Sequence, residues 1–152
     1  FQDMGMQPPR WQNVSQTFLF AISHLDFLKI THRLDLGDLE VYADPLLEKV
    51  LFNLMENVLR HGSGATAVGL WYQEKPDGLI LFIEDNGIGI PQEEKHIIFD
   101  RGYGKDTGLG LFLVREILSI TGMSIRETGT AGKGTRFEIQ IPKGAYRFGQ
   151  PA

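Results

Sequence analysis

Cysteine is absent from the 152 residues, so no disulfide framework, thiolate nucleophile or zinc site built on sulfur can form, and a reducing compartment suits the chain. Basic residues are also in short supply. Fifteen Lys and Arg face 19 Asp and Glu, and the net charge of -4 leaves no cationic face to displace counterions from nucleic acid or from an anionic membrane. No apolar run approaches the roughly 20 residues of a membrane helix, and no signal-like segment opens the chain. Neither nucleic acid nor membrane is an expected direct partner. What remains is the size of one globular domain with one compact core. The chain opens on Phe1, which reads as a piece cut from something longer. Glycine is plentiful, 18 residues, and it clusters.

The periodicity of the apolar residues sets out the elements. Residues 1–12, with Pro8 and Pro9, read as a linker or the end of a preceding module, because the proline pair cannot sit inside a helix. Val14, Phe18, Leu19, Ala21 and Ile22 predict a helix from Asn13 to about His24, with Asn13 or Ser15 as its cap. Two short strands, about 28–36 and 39–43, are expected to form a hairpin around Gly37-Asp38. Asp44 and Pro45 then open a helix whose apolar stripe runs from Leu46 to Leu59 and stops at Gly62. Strands are expected at 66–74 and 79–85, joined by the turn Pro76-Asp77-Gly78, and again at about 123–129 and 134–141. Between them lie a glycine-punctuated stretch, 85–110, and a helix from about Gly108 to Gly122. This order predicts an α/β sandwich, a mixed sheet with helices packed on one face, spanning 13–142 and followed by a tail at 143–152.

Four features carry chemistry. On the second helix Lys49, Asn53, Glu56, Asn57 and Arg60 share one face. Asn is a mediocre helix former, and a carboxamide oxygen on a rigid helix can ligate a hard cation; a solvated helix face is the plainer reading. Asp85-Asn86-Gly87-Ile88-Gly89-Ile90 follows a strand directly, offering a carboxylate acceptor for an exocyclic amine beside backbone that a flat ring can approach. A simple Asx turn has the same sequence signature. Thr107-Gly108-Leu109-Gly110-Leu111 runs into a helix whose free N–H groups suit a phosphate, or is a permissive cap. Gly132-Lys133-Gly134-Thr135 reads by itself as a hairpin turn.

In this order the four features resemble the histidine kinase catalytic, ATP-binding domain of the GHKL superfamily, the Bergerat fold shared with gyrase, chaperone and mismatch-repair ATPases. Residues 51–61 look like its N box, Asp85 to Ile90 its first glycine box, Ile98-Phe99-Asp100 its F box, and Thr107 to Leu111 its second glycine box. Gly132-Lys133-Gly134 resembles the third glycine motif. The match covers about 40–142. One departure is Asp106, which stands where many members carry the first glycine of the second box, and the lid, about 96–107, is short for the superfamily.

The resemblance implies Asn57 as Mg²⁺ ligand, Asn53 as a polar partner near metal and phosphates, and Arg60 as a basic phosphate contact, these three forming the catalytic set. His61 stands where members often carry a ring beside the nucleotide. Asp85 matches the carboxylate that accepts the adenine amino group, with Gly87, Gly89 and Ile90 around the ring. Arg101 and Lys105 belong to the lid, Thr107, Gly108, Leu109, Gly110 and Leu111 to the phosphate turn, and Thr135 to the third motif. ATP and Mg²⁺ are the implied cofactors. His24, His32 and His96 lack metal-ligand spacing.

Family members transfer the γ-phosphoryl group to a His on a dimeric helical module, and Ser23-His24-Leu25-Asp26 does not continue as that acceptor motif does. The expected partners are therefore a dimerisation and phosphoacceptor module of the parent protein, a response regulator downstream, and a second copy of the parent as homodimer. The expected location is cytoplasmic, whether the parent is soluble or membrane-anchored. Hydrolytic relatives carry a general-base Glu where this chain has Asn53, which favours transfer over hydrolysis. A GHKL ATPase, an anti-sigma-type serine kinase and a non-catalytic nucleotide-binding scaffold are the alternatives.

Overall fold

The computed structural model describes residues 5–61, 64–103 and 110–149, apart from the side chains of Arg60 and His61. The elements run β1 (Arg10–Asn13), α1 (Val14–Ile22), β2 (Thr31–Asp35), β3 (Leu39–Ala43), α2 (Leu47–His61), β4 (Ala67–Lys75) and β5 (Gly78–Asp85). A short 3-10 turn (Gln92–Glu94) follows, then α3 (Gly110–Ser119), β6 (Ser124–Glu127), β7 (Arg136–Pro142) and β8 (Tyr146–Phe148). A five-stranded mixed sheet has the order β2-β4-β5-β7-β6, and a three-stranded sheet the order β1-β3-β8.

Local chemistry explains the helices. Asn13 caps α1 by accepting from Gln16 N–H at 2.9 Å. Asp44, 1% exposed, begins α2: its Oδ2 accepts from Leu46 N–H at 3.0 Å, and its carbonyl accepts from Leu47 N–H at 3.0 Å. Leu47, Val50, Leu51, Leu54, Met55 and Val58 then make a fully apolar stripe at three- and four-residue steps. Together with Val14, Phe18 and Ala21 of α1 and Leu113, Val114, Ile117 and Leu118 of α3 it forms one core with one face of the large sheet. Leu79, Leu81 and Ile83 of β5 and Phe137, Ile139 and Ile141 of β7 supply that face. Each such side chain contributes roughly 1.5 to 3 kcal/mol when withdrawn from water. The opposite face carries Trp71 stacked on Phe82, ring centroids 5.2 Å apart.

The strands expected at 28–36 and 39–43 both form, but they do not make a hairpin. β2 pairs parallel with β4, starting at Thr31 opposite Ala67, and forms an edge of the large sheet. β3 has both of its edges taken, by β1 on one side and β8 on the other, so no edge is left for β2. Buried Leu36 and Leu39 anchor the crossing between the two sheets, with Leu39 N–H bonded to the Leu36 carbonyl at 3.0 Å. β1 and β8 arise from the segments read as linker and tail. Trp11 meets Tyr42 with ring centroids 5.4 Å apart, and the Arg147 guanidinium lies 4.2 Å from the Trp11 centroid, which fastens the two outer strands over β3.

Candidate functional site

Period-two alternation along β5 puts Leu79, Leu81, Ile83 and Asp85 on the same buried face, so the Asp85 carboxyl projects to the side of the sheet where the helices pack. Asp85 is only 5% exposed. Its Oδ1 accepts from Gly87 N–H at 2.8 Å and from Thr135 N–H at 3.3 Å. Burial pushes its pKa above the usual carboxylate value, the two N–H donors pull it back, and the negative charge of Glu127 adds a further upward push. A desolvated carboxylate at a strand end, held in place through one oxygen, can accept a hydrogen bond through the other.

The glycines around it are spatial requirements. At Gly134, φ +137°, an added Cβ would stand 2.0 Å from the Asp85 carbonyl oxygen. At Gly89, φ +78°, it would stand 2.8 Å from the Gly134 carbonyl oxygen and 2.9 Å from that of Thr130. The loop after β5 thus lies directly against the loop between β6 and β7, and Gly132 N–H donates to the Ile88 carbonyl at 2.6 Å. Gly132-Lys133-Gly134, a plain turn when read alone, is the wall beside Asp85. Gly87 is buried, Ile90 packs on the core, and Thr135 is 5% exposed, its carbonyl accepting from Asp85 N–H at 2.9 Å. Asn86 is occupied otherwise: its Oδ1 accepts from Thr66 and Ala67 N–H at 2.8 and 3.1 Å and fixes the start of β4.

On α2, Asn53 is 8% exposed and its Nδ2 donates to the Gly110 carbonyl at 3.2 Å, so it secures the first turn of α3. Asn57, one turn further along, is half-buried. Leu111 packs against the core, and Arg101, exposed, holds its guanidinium 5.7 Å from the Phe112 centroid. Lys105, Thr107, Gly108 and Leu109 lie outside the described residues, as do the side chains of Arg60 and His61. Hydrogen bonds join Asp85 to Gly87 and Thr135, and Asn53 to Gly110.

Sequence reasoning passed over the residues that brace this site. Lys95, just after the 3-10 turn, pairs its Nζ with Glu127 Oε1 and donates to the Gly129 carbonyl at 2.9 Å. The Glu127 side chain has no exposed surface, and its Oε2 accepts from Gly129 and Arg136 N–H at 2.8 and 3.0 Å. In sequence Lys95 ends a Glu-Glu-Lys run, which reads as solvated surface. Tyr103 donates to Glu94 at 2.8 Å, and burial, aided by that bond and by the Glu94 charge, pushes its pKa up to about 12.

Residues 43–145 match the family model described as histidine kinase-, DNA gyrase B-, and HSP90-like ATPase. The sensor protein SrrB of Staphylococcus aureus is 33% identical over 141 residues, covering 78% of this chain and 24% of SrrB. The chain therefore spans about a quarter of the length of that curated relative. Among solved structures, the mycobacterial sensor histidine kinase MprB superposes with TM-score 0.76 at 23% identity, covering 88% of this chain and 97% of that one. Full-length ShkA in complex with AMPPNP gives TM-score 0.75 at 18% identity, over 94% of this chain and 32% of that one. The fold expected from the motif order, a mixed sheet with helices, is the fold these solved structures share with the chain. By the match over most of its length, this chain belongs to the histidine kinase-, DNA gyrase B- and HSP90-like ATPase family.

Proposed function

We propose that this domain binds ATP with Mg²⁺ and donates the γ-phosphoryl group to a His on a helical dimerisation module of its parent protein, which then phosphorylates a response regulator. The observation that carries the reading is Asp85, buried at the end of β5, anchored through Oδ1 and walled by glycine backbone. Its Oδ2 takes the amino hydrogen of adenine, while Gly87, Gly89, Ile90 and Thr135 border the ring. The AMPPNP complex of ShkA supports a nucleotide as the ligand of this fold.

The donor set fits a Mg²⁺ held largely by ATP itself. In this reading the Asn57 carboxamide oxygen would hold the Mg²⁺ from the chain's side, a hard oxygen donor of the kind that ion takes beside substrate phosphates and water. When bound, Mg²⁺ supplies neutralisation of the charge on the β- and γ-phosphates. The family resemblance assigns positive charge at the phosphates to Arg60, Arg101 and Lys105, a ring beside the nucleotide to His61, and a phosphate-binding turn to Thr107 through Leu111. Asn53 acts on the same turn by holding the Gly110 carbonyl. Catalysis here is positioning and charge stabilisation, with the nucleophile brought by the acceptor module.

Asn53 cannot take a proton from water at neutral pH, which disfavours hydrolysis. Release of inorganic phosphate by the chain alone, with ATP and Mg²⁺, tests this. Slow release unchanged by Glu56→Ala is expected; rapid release abolished by that substitution would identify a hydrolytic relative.

A further inference from the structure

Lys95 and Glu127 stand outside every motif that the proposed function uses, yet they form a nearly dry ion pair beside the adenine carboxylate. The Lys95 side chain is 13% exposed and that of Glu127 is fully buried. Glu127 Oε2 takes N–H groups from both arms of the loop between β6 and β7, Gly129 on the outgoing arm and Arg136 on the returning one. Arg136 directly follows Thr135, whose N–H is one of the two donors fixing Asp85. On the other side Lys95 grips Glu127 Oε1 and the Gly129 carbonyl from the segment after the 3-10 turn. Space at the crossing is minimal: a Cβ on Gly129 would stand 2.5 Å from the Gly134 carbonyl oxygen and 2.6 Å from Glu127 Oε2.

We infer that Lys95 is a positioning residue for base recognition, acting through Glu127 to hold the loop whose Thr135 N–H aims the Asp85 carboxylate. This rests on the reading of Asp85 as the adenine acceptor. Two charges withdrawn from water stabilise little as a pair, but removal of one leaves the other buried and uncompensated, and the loop is then driven to rearrange. Asp85 loses a fixed donor, and its Oδ2 no longer meets the amino group at a set angle. A plain loss of stability would weaken every nucleotide alike. Mispositioning of Asp85 weakens only those that present an amino group to it.

The test is calorimetric titration of this chain with ATP and with inosine triphosphate, which carries an oxygen in place of the adenine amino group. Wild-type protein should prefer ATP. In Lys95→Met the ATP Kd should rise on the order of tenfold while the inosine triphosphate Kd stays put, so the preference falls by the same factor. The second variant, Lys95→Met/Glu127→Gln, leaves no buried charge unpaired and keeps an oxygen acceptor for Gly129 and Arg136. It should fold even where the single variant does not, and recover part of the preference. A wild-type protein indifferent to the amino group overturns the adenine reading and this inference with it. A discriminating wild type whose ATP preference survives in both variants, or whose two affinities fall equally, overturns this inference alone.

Discussion

Asp85→Asn is the sharpest perturbation of the site, because the structure separates what it keeps from what it removes. Alanine would orphan two buried donors, the N–H groups of Gly87 at 2.8 Å and Thr135 at 3.3 Å, and mix a folding defect into the result. Asparagine retains an Oδ1 for both and replaces a charged acceptor, Oδ2, with a donor. A hydrogen bond to a charged group is worth about 1.5 to 3 kcal/mol, so ATP affinity should fall by roughly 10- to 150-fold. The apo protein should respond in the opposite sense. Burial raises the Asp85 pKa above its unfolded value, so its contribution to stability is fully present below the unfolded pKa and is lost as pH rises through the folded one. At neutral pH the ionised carboxylate costs stability, and Asp85→Asn should melt higher than wild type, the gap closing as the buffer is acidified towards the carboxylate range. Titration calorimetry and melting curves across pH measure both arms. Wild-type ATP affinity in Asp85→Asn would refute the assignment of adenine recognition to this carboxylate.

Other positions answer separately. Asn57→Ala should leave the melting temperature close to wild type, since alanine is the better helix former, while abolishing most of the Mg²⁺ dependence of ATP binding in a metal titration. Gly134→Ala combines a positive φ with a Cβ placed 2.0 Å from the Asp85 carbonyl oxygen, so chemical denaturation should show a loss of about 2 to 5 kcal/mol. Asn53→Ala removes the bond to the Gly110 carbonyl and should cost about 1 kcal/mol of stability; hydrogen exchange should speed up in the first turn of α3 while the strands stay protected.

Much of this was legible in the sequence, and the reasons are local. The stripe from Leu47 to Val58 has a period that only a helix can bury, and Asp44 caps it with groups that sequence alone identifies. The place of Asp85 at the end of β5 was legible because the short apolar run before it reads as a strand and the two glycines after it break that pattern. The separate partners of β2 and β3 were not legible, because a short Gly-containing link favours a hairpin and nothing nearby reveals that β1 and β8 occupy both edges of β3. β8 itself spans only Tyr146–Phe148, too short for periodicity to signal, and its place is fixed by pairing with Leu39–Val41 about a hundred residues earlier. Lys95 and Glu127 were missed for the same long-range reason: 32 residues separate them, and each looks like ordinary surface charge until the fold closes around the pair.

The central claim, that this domain hands phosphate to a histidine on another module, is tested most directly by incubating the chain with γ-labelled ATP and Mg²⁺, alone and with the dimeric helical module of its parent protein. Label should appear on the added module only, should be acid-labile and alkali-stable as phosphohistidine is, and should be lost with Asp85→Asn and Asn57→Ala. Label that never reaches the module while ATP is consumed to inorganic phosphate by the chain alone would contradict the account.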